Sequence, residues 1–305
     1  MSEIPFQSVQ PGSSTNGYVR LDLDVSFDLP YTIVKGNHPG KMLVVTAGIH
    51  GAEYASIAAA ISLTRIDPAL ISGTLLVLPL VCVPAFRARS IYTNPLDGKN
   101  LNRQFPGDFD GSFSQQLAAW LTENAIQVSD AYIDLHGGDL IEALEPFTIY
   151  PENHAPSLEL AQVFGIPWLV ASASSGMTTS AARALDIPSI LAESGGNGLW
   201  NKPDVSLLET GLHRAMQHLG MIRGTPDQIA TQQLTEFAWL RAESEGLWYP
   251  TERLGKVTKG QALGQITDPF GKVLQIVVSP LDGVILFSVT SLAINVDDPL
   301  YGIGA

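Results

Sequence analysis

The stretch VVTAGIHGAEYASIAAA, residues 44–60, decides how the rest of the chain is read. An apolar run ends in a glycine turn, His50 and Glu53 follow, and an alanine-rich segment with the texture of a buried helix begins. An imidazole and a carboxylate three residues apart at a strand-to-helix turn pose a functional question. Glu53 as a helix cap and His50 as a backbone partner are one answer. That answer leaves Gly48 and Gly51 beside His50 unexplained, because glycines at such a place let backbones approach a crowded centre.

Outward from this stretch the same texture repeats. KMLVVTAG, TLLVLPLVCV, DAYIDLH, PFTIYP, PWLVAS and SILAES read as strands apolar on both faces, as in a sheet covered by helices. Between them, AEYASIAAAISLTRID, SFSQQLAAWLTENAIQ, SLELAQVFG, TTSAARALD and VSLLETGLHRAMQHLG carry helical spacing, with Ser or Thr available as caps. Residues 1–225 are therefore expected to form an α/β domain. After RGTPDQIATQQ, residues 223–233, short strands alternate with Gly-Lys, Lys-Gly, Pro-Phe-Gly and Asp-Gly turns, so residues 232–305 are expected to form a small all-β domain. Trp248 and Tyr249 are expected in its core, with the rim of an active site as the alternative.

With 305 residues, 45% of them hydrophobic, the chain can bury a sizeable core. No segment reaches the roughly 20 apolar residues of a membrane span, and MSEIPFQSVQ lacks the pattern of a signal peptide, so a cytoplasmic location without membrane contact is the expectation. The single cysteine, Cys82, lies in the apolar run LLVLPLVCVP and reads as core. Seventeen Lys and Arg against 30 Asp and Glu give a formal charge of −13, which repels a nucleic-acid backbone. Against that background Arg87, Arg89, Lys99 and Arg103 fall close together, and no further Lys or Arg occurs until Arg183. Such a cluster is a candidate site for an anionic substrate, a solvated loop being the plainer reading.

Three chemically capable positions share one placement. His50 with Glu53, His136 after AYIDL, and Glu193 at the end of IPSILA all stand at the carboxyl ends of predicted strands, the edge at which open α/β sheets bind ligands. His50, Glu53 and His136 can form a His2Glu set, and three protein ligands with one position left for water are what a catalytic zinc uses. Glu193 can serve as proton carrier beside the metal, or as a structural salt-bridge partner.

GIHGAE (48–53), NLNRQFPG (100–107), DLHGG (134–138) and AESGG (192–196), in that order, resemble the succinylglutamate desuccinylase/aspartoacylase family of the zinc carboxypeptidase-like fold. The resemblance spans about residues 40–220 and implies a mixed sheet flanked by helices, followed by a β domain of barrel-sandwich character. It implies one zinc per chain on His50, Glu53 and His136, with Glu193 as general base and acid. Asn102 and Arg103 match the family's Asn-Arg pair, which holds substrate and polarises the scissile carbonyl. The family's arginine ahead of that pair would fall on Arg89 or Arg87, and its carboxylate-binding arginine on Arg183. The expected substrate is a small N-acyl amino acid or a related amide, hydrolysed by a metal-dependent deacylase, and a homo-oligomer is compatible with the sequence. A peptide-cleaving metallocarboxypeptidase is the rival enzyme, and a non-catalytic metal- or ligand-binding relative the rival outside enzymes.

Overall fold

A computed structural model describes residues 3–305. The chain opens with an antiparallel hairpin, β1 (Ser13–Leu21) and β2 (Phe27–Lys35). The opening stretch then becomes β3 (His38–Ala47) and α1 (Tyr54–Leu63), leading to β4 (Ser72–Leu78). After α2 (Val83–Ala88) and α3 (Phe113–Leu121) comes β5 (Ala131–His136). Short strands β6 (Glu142–Leu144) and β7 (Phe147–Pro151) lead to α4 (Ala155–Phe164) and β8 (Trp168–Ser172). The remaining elements of this part are α5 (Thr178–Ala184), β9 (Ser189–Glu193), α6 (Lys202–His218) and β10 (Gln232–Leu234).

Nine of these strands form one mixed sheet in the order β1-β2-β4-β3-β5-β9-β7-β8-β10. Its centre, β4-β3-β5-β9, is parallel, and β2 and β7 flank it antiparallel. Successive residues of β3 serve opposite layers: Val44 packs with Val83, Phe113 and Ala182, while Leu43, Val45 and Ala47 pack with Ala59, Leu160 and Leu212. Helices α2, α3 and α5 thus cover one face and α1, α4 and α6 the other, which is why the central strands are apolar on both sides. The chain passes from β3 through α1 to β4 on one side, then returns to β5 on the other. The carboxyl ends of β3 and β5 therefore flank the point where strand order reverses.

The apolar run at 74–83 does not form one long strand. Pro79 follows the end of β4, and Pro84 occupies the first turn of α2, where its missing N–H is not needed. Cys82 is buried at that junction, and burial pushes its thiol up to about 12, so it is inert core.

The C-terminal part consists of β11 (Phe237–Arg241), β12 (Gly246–Pro250), β13 (Gly255–Val257), β14 (Ala262–Thr267), β15 (Val273–Val278), β16 (Gly283–Val289), β17 (Ala293–Ile294) and β18 (Pro299–Gly304). They make two antiparallel sheets, β11-β18-β16-β13 and β15-β14-β12-β17, which enclose Trp248, Leu263, Ile266, Ile285 and Tyr301. The two parts exchange strands. β6 pairs with β16, and β10 adds to the edge of the large sheet beside β8. Among the described residues no helix is long and apolar enough to cross a membrane.

Two glycines shape the turn after β3. Gly48 has φ +68°, a conformation that L side chains rarely adopt, and a Cβ on Gly51 would lie 2.1 Å from the backbone nitrogen of Phe86 in α2. Gly51→Ala is therefore expected to destabilise the protein by about 1–3 kcal/mol, the range for overpacking. A thermal or denaturant melt checks it; unchanged stability would mean that α2 yields freely.

Candidate active site

The sequence-predicted residues meet above the carboxyl ends of β3, β5 and β9. His136 is the last residue of β5 and Glu193 the last of β9, and the two are register partners. Glu53 stands just before α1, yet its side chain makes no capping bond there. Its Oε1 lies 2.7 Å from His50 Nδ1 and its Oε2 2.9 Å from His136 Nδ1, and Oε2 also accepts the Gly137 N–H at 3.2 Å. The capping alternative is thereby excluded: both carboxylate oxygens turn to the two imidazoles.

The outer nitrogens are held as well. His136 Nε2 lies 3.0 Å from Asp134 Oδ2, and His50 Nε2 lies 3.0 Å from Asn100 Oδ1. Asp134 is itself fixed by the Thr46 and Thr178 hydroxyls, each donating at 2.7 Å. With Nε2–H turned outward to an oxygen, a neutral imidazole directs its Nδ1 lone pair inward, the arrangement that metal-binding histidines adopt. The inward nitrogens and a Glu53 oxygen all lie within 4.8 Å of one another, so the cluster is able to hold a metal ion. Two nitrogens and a carboxylate suit a borderline divalent ion such as zinc.

Burial alone would raise Glu53, but the two imidazoles overcome it and hold the carboxyl below the ordinary range. Burial opposes protonation of His136, and Asp134 with Glu53 outweighs it, raising its pKa. Glu193 is pushed the other way: burial and the Glu53 charge raise it well above an ordinary glutamate. Its Oε2 is buried without a hydrogen-bond partner.

These groups line a cavity of about 370 Å³ that also includes Asn102 and Arg103. Asn102 Oδ1 accepts the Thr178 N–H at 2.9 Å, and Arg103 donates from Nη1 to the Asn102 carbonyl at 2.7 Å. The structure does not bring the other arginines here. Arg87 and Arg89 line a separate groove with Phe86 and Trp200, and Arg183 is exposed, donating to the Asn153 carbonyl at 3.5 Å. Lys99 bonds to Gln115 Oε1 at 2.9 Å. The run of positive charge in sequence is thus dispersed in space, because α2 ends with Arg89 in a left-handed conformation, φ 53°, and the chain turns away.

The C-terminal part supplies one wall through Phe237, Trp239 and Phe287. Trp248 instead lies in the core of that part, 1% exposed, with Nε1 bonded to the Val289 carbonyl at 3.2 Å. Tyr249 faces solvent. Asp134 was legible in principle, since residues two apart on a strand share a face and Asp134 precedes His136 by two. The aromatic wall, Tyr92 and Glu142 carry no comparable signal, because distant segments bring them together.

The sequence profile of the succinylglutamate desuccinylase/aspartoacylase catalytic domain matches residues 39–219. The chain belongs to this family. Its relatives include the N-alpha-acetyl-L-2,4-diaminobutyric acid deacetylase of Halomonas elongata, 31% identical over 256 residues, which cover 79% of this chain and 74% of that protein. The crystal structure of a family member from Rhodobacter sphaeroides superposes with a TM-score of 0.88 at 27% identity, covering 100% of this chain and 98% of that one. The product-bound ectoine utilization protein EutE of Ruegeria pomeroyi has the same fold, with a TM-score of 0.88 at 24% identity over 97% and 96% of the two chains. As a member of the desuccinylase/aspartoacylase family, the protein is an amidohydrolase of C–N bonds other than peptide bonds.

The outer bond from Asp134 yields a prediction. Asp134→Asn preserves shape but removes the charge behind His136, and loss of such a partner costs about 10- to 100-fold in metal affinity. A zinc competition titration measures it; an unchanged affinity would show that His136 needs no help from Asp134.

Proposed function

We propose that this protein hydrolyses the amide bond of a small N-acyl amino acid, with one divalent ion, zinc, held by His50, Glu53 and His136. When bound, such an ion lowers the pKa of water and polarises a carbonyl. The observation that carries the reading is Glu193: a half-buried residue whose buried Oε2 has no partner, on the wall of the cavity that holds the three-residue cluster.

Each group has a task suited to its surroundings. Glu193, with its raised pKa, accepts the proton of the attacking water and returns it to the leaving nitrogen, a role worth roughly 10²- to 10⁴-fold. Arg103 lies within electrostatic reach of Glu193 and offers a guanidinium to the oxygen on which charge develops. Asn102 Oδ1 is taken by the Thr178 N–H, which leaves its side-chain NH2 for the substrate. Of the arginines suggested by the sequence, Arg103 is the one at the cavity, so it also becomes the candidate contact for the substrate carboxylate. A cavity of about 370 Å³ behind an aromatic wall suits a small amide better than an extended peptide, which favours the deacylase over the carboxypeptidase.

The test is a hydrolysis screen of the zinc-loaded protein against N-acetyl, N-succinyl and N-formyl amino acids, including Nα-acetyl-2,4-diaminobutyrate, alongside dipeptides. Turnover of an N-acyl amino acid that disappears on metal removal is expected; cleavage of dipeptides alone would establish the carboxypeptidase. Glu193→Gln should lower kcat by about 10²-fold or more while metal content stays normal. Near-normal turnover in that variant would place the base elsewhere.

A further inference from the structure

The sheet β15-β14-β12-β17 of the C-terminal part differs from the other two sheets in one respect: none of its strands carries a charged residue. β12 reads GLWYP, β14 ALGQIT, β15 VLQIVV and β17 AI, in a chain that holds 17 Lys and Arg and 30 Asp and Glu. One side of this sheet closes the core, with Trp248, Ile266 and Val277 buried. The other side faces solvent. There Leu274, Ile276 and Val278, spaced two apart on β15 and therefore on one face, are exposed, Ile276 at 62%. Strand register sets Tyr249, Gln265 and Ile276 abreast across β12, β14 and β15, and all three are exposed. Phe270, in the turn that joins β14 to β15, is 96% exposed.

β15 is also the last strand of its sheet. Among the described residues no backbone hydrogen bond reaches positions 273–278 from any element but β14. Edge strands that remain in solvent are guarded by lysine, proline or an inward charge, and β15 contains none of these. The irregularities in its pairing with β14 still leave its apolar side chains outward. Charge returns only at the margin, where Glu252, Arg253 and Lys272 are exposed in the flanking turns. An apolar centre within a polar rim is the layout of a protein interface.

Charge and extent indicate the occupant. An anionic surface, whether nucleic acid or lipid, finds no cation on the strands of this face. Two copies of a chain of formal charge −13 repel each other over most of their surfaces, and contact is least opposed where both present an uncharged face. The extent is sufficient as well: the exposed parts of Tyr249, Gln265, Phe270, Leu274, Ile276 and Val278 amount to on the order of 700 Å², close to the roughly 800 Å² that each partner of a standard interface buries. We propose that this face is covered by the same face of a second copy, the two sheets stacking about a two-fold axis with β15 at the centre of the contact. The contact is independent of the hydrolytic chemistry.

Light scattering and sedimentation equilibrium of the full chain, from low to high micromolar concentration, test the contact. The expected mass is twice the 32.7 kDa of one chain. Ile276→Asp should weaken the dimer by about 100-fold or more in Kd, because a two-fold contact then holds two facing carboxylates. Tyr18→Asp, which adds the same charge at an exposed position of β1, should leave the dimer intact. Added salt should preserve or tighten the dimer, since it screens the mutual repulsion and no ion pair holds the contact. A wild-type chain that stays monomeric throughout overturns the proposal, as does an oligomer that survives Ile276→Asp, loses as much in Tyr18→Asp, or dissociates in salt. Should Ile276→Asp lose its folded circular-dichroism spectrum, Val278→Asp takes its place under the same criteria.

Discussion

One carboxylate, Glu53, touches both imidazoles, with Oε1 on His50 and Oε2 on His136 at 2.7 and 2.9 Å. A carboxylate buried in this way is costly unless positive or hydrogen-bonding groups surround it. Much of the surrounding structure meets that need. Gly48 and Gly51 set the turn that aims His50, while β5 delivers His136 at its last residue and the Gly137 N–H adds a bond to Oε2. Asp134 and Asn100 hold the far nitrogens, so the rings present the same edges to the centre. The cluster is organised by the protein, and a metal entering it would meet donors already in place.

The C-terminal part completes the cavity. Phe237, Trp239 and Phe287 close one side, and the exchange of β6 and β10 fixes that wall against the large sheet. β6 leaves the segment that begins at His136, so the same few residues position the metal cluster, the Glu142 side chain and the joint between the parts. A change at this joint would be felt in the shape of the cavity as well as in stability.

The charge of the cavity differs from what the run of arginines suggests. Arg103 alone among those arginines lines it, within electrostatic reach of Glu193, while Glu142 and Tyr92 add polar groups to the wall. The site thus combines one guanidinium, suited to a carboxylate or oxyanion, with buried carboxyls on the same wall.

The sequence by itself determined the α/β character, the order of the central strands and helices, and the placement of His50, Glu53, His136 and Glu193 at strand ends. These are local matters: apolar runs bounded by glycine turns, and helical spacing that packing then realises. The hairpin of β1 and β2 and the break of the run at 74–83 were less legible, since mixed apolar and polar residues or a proline decide them within a few positions. Only the tertiary structure decided which arginine reaches the cavity, which aromatic residues wall it, and that Tyr92, Asp139 and Glu142 meet. Neighbours in sequence such as Arg87, Arg89 and Arg103 part company when a helix ends in a left-handed residue, and Leu144 and Phe287 meet in the cavity wall only because β6 pairs with β16. Contacts of that kind depend on how distant segments pack, and no local pattern of side chains encodes them.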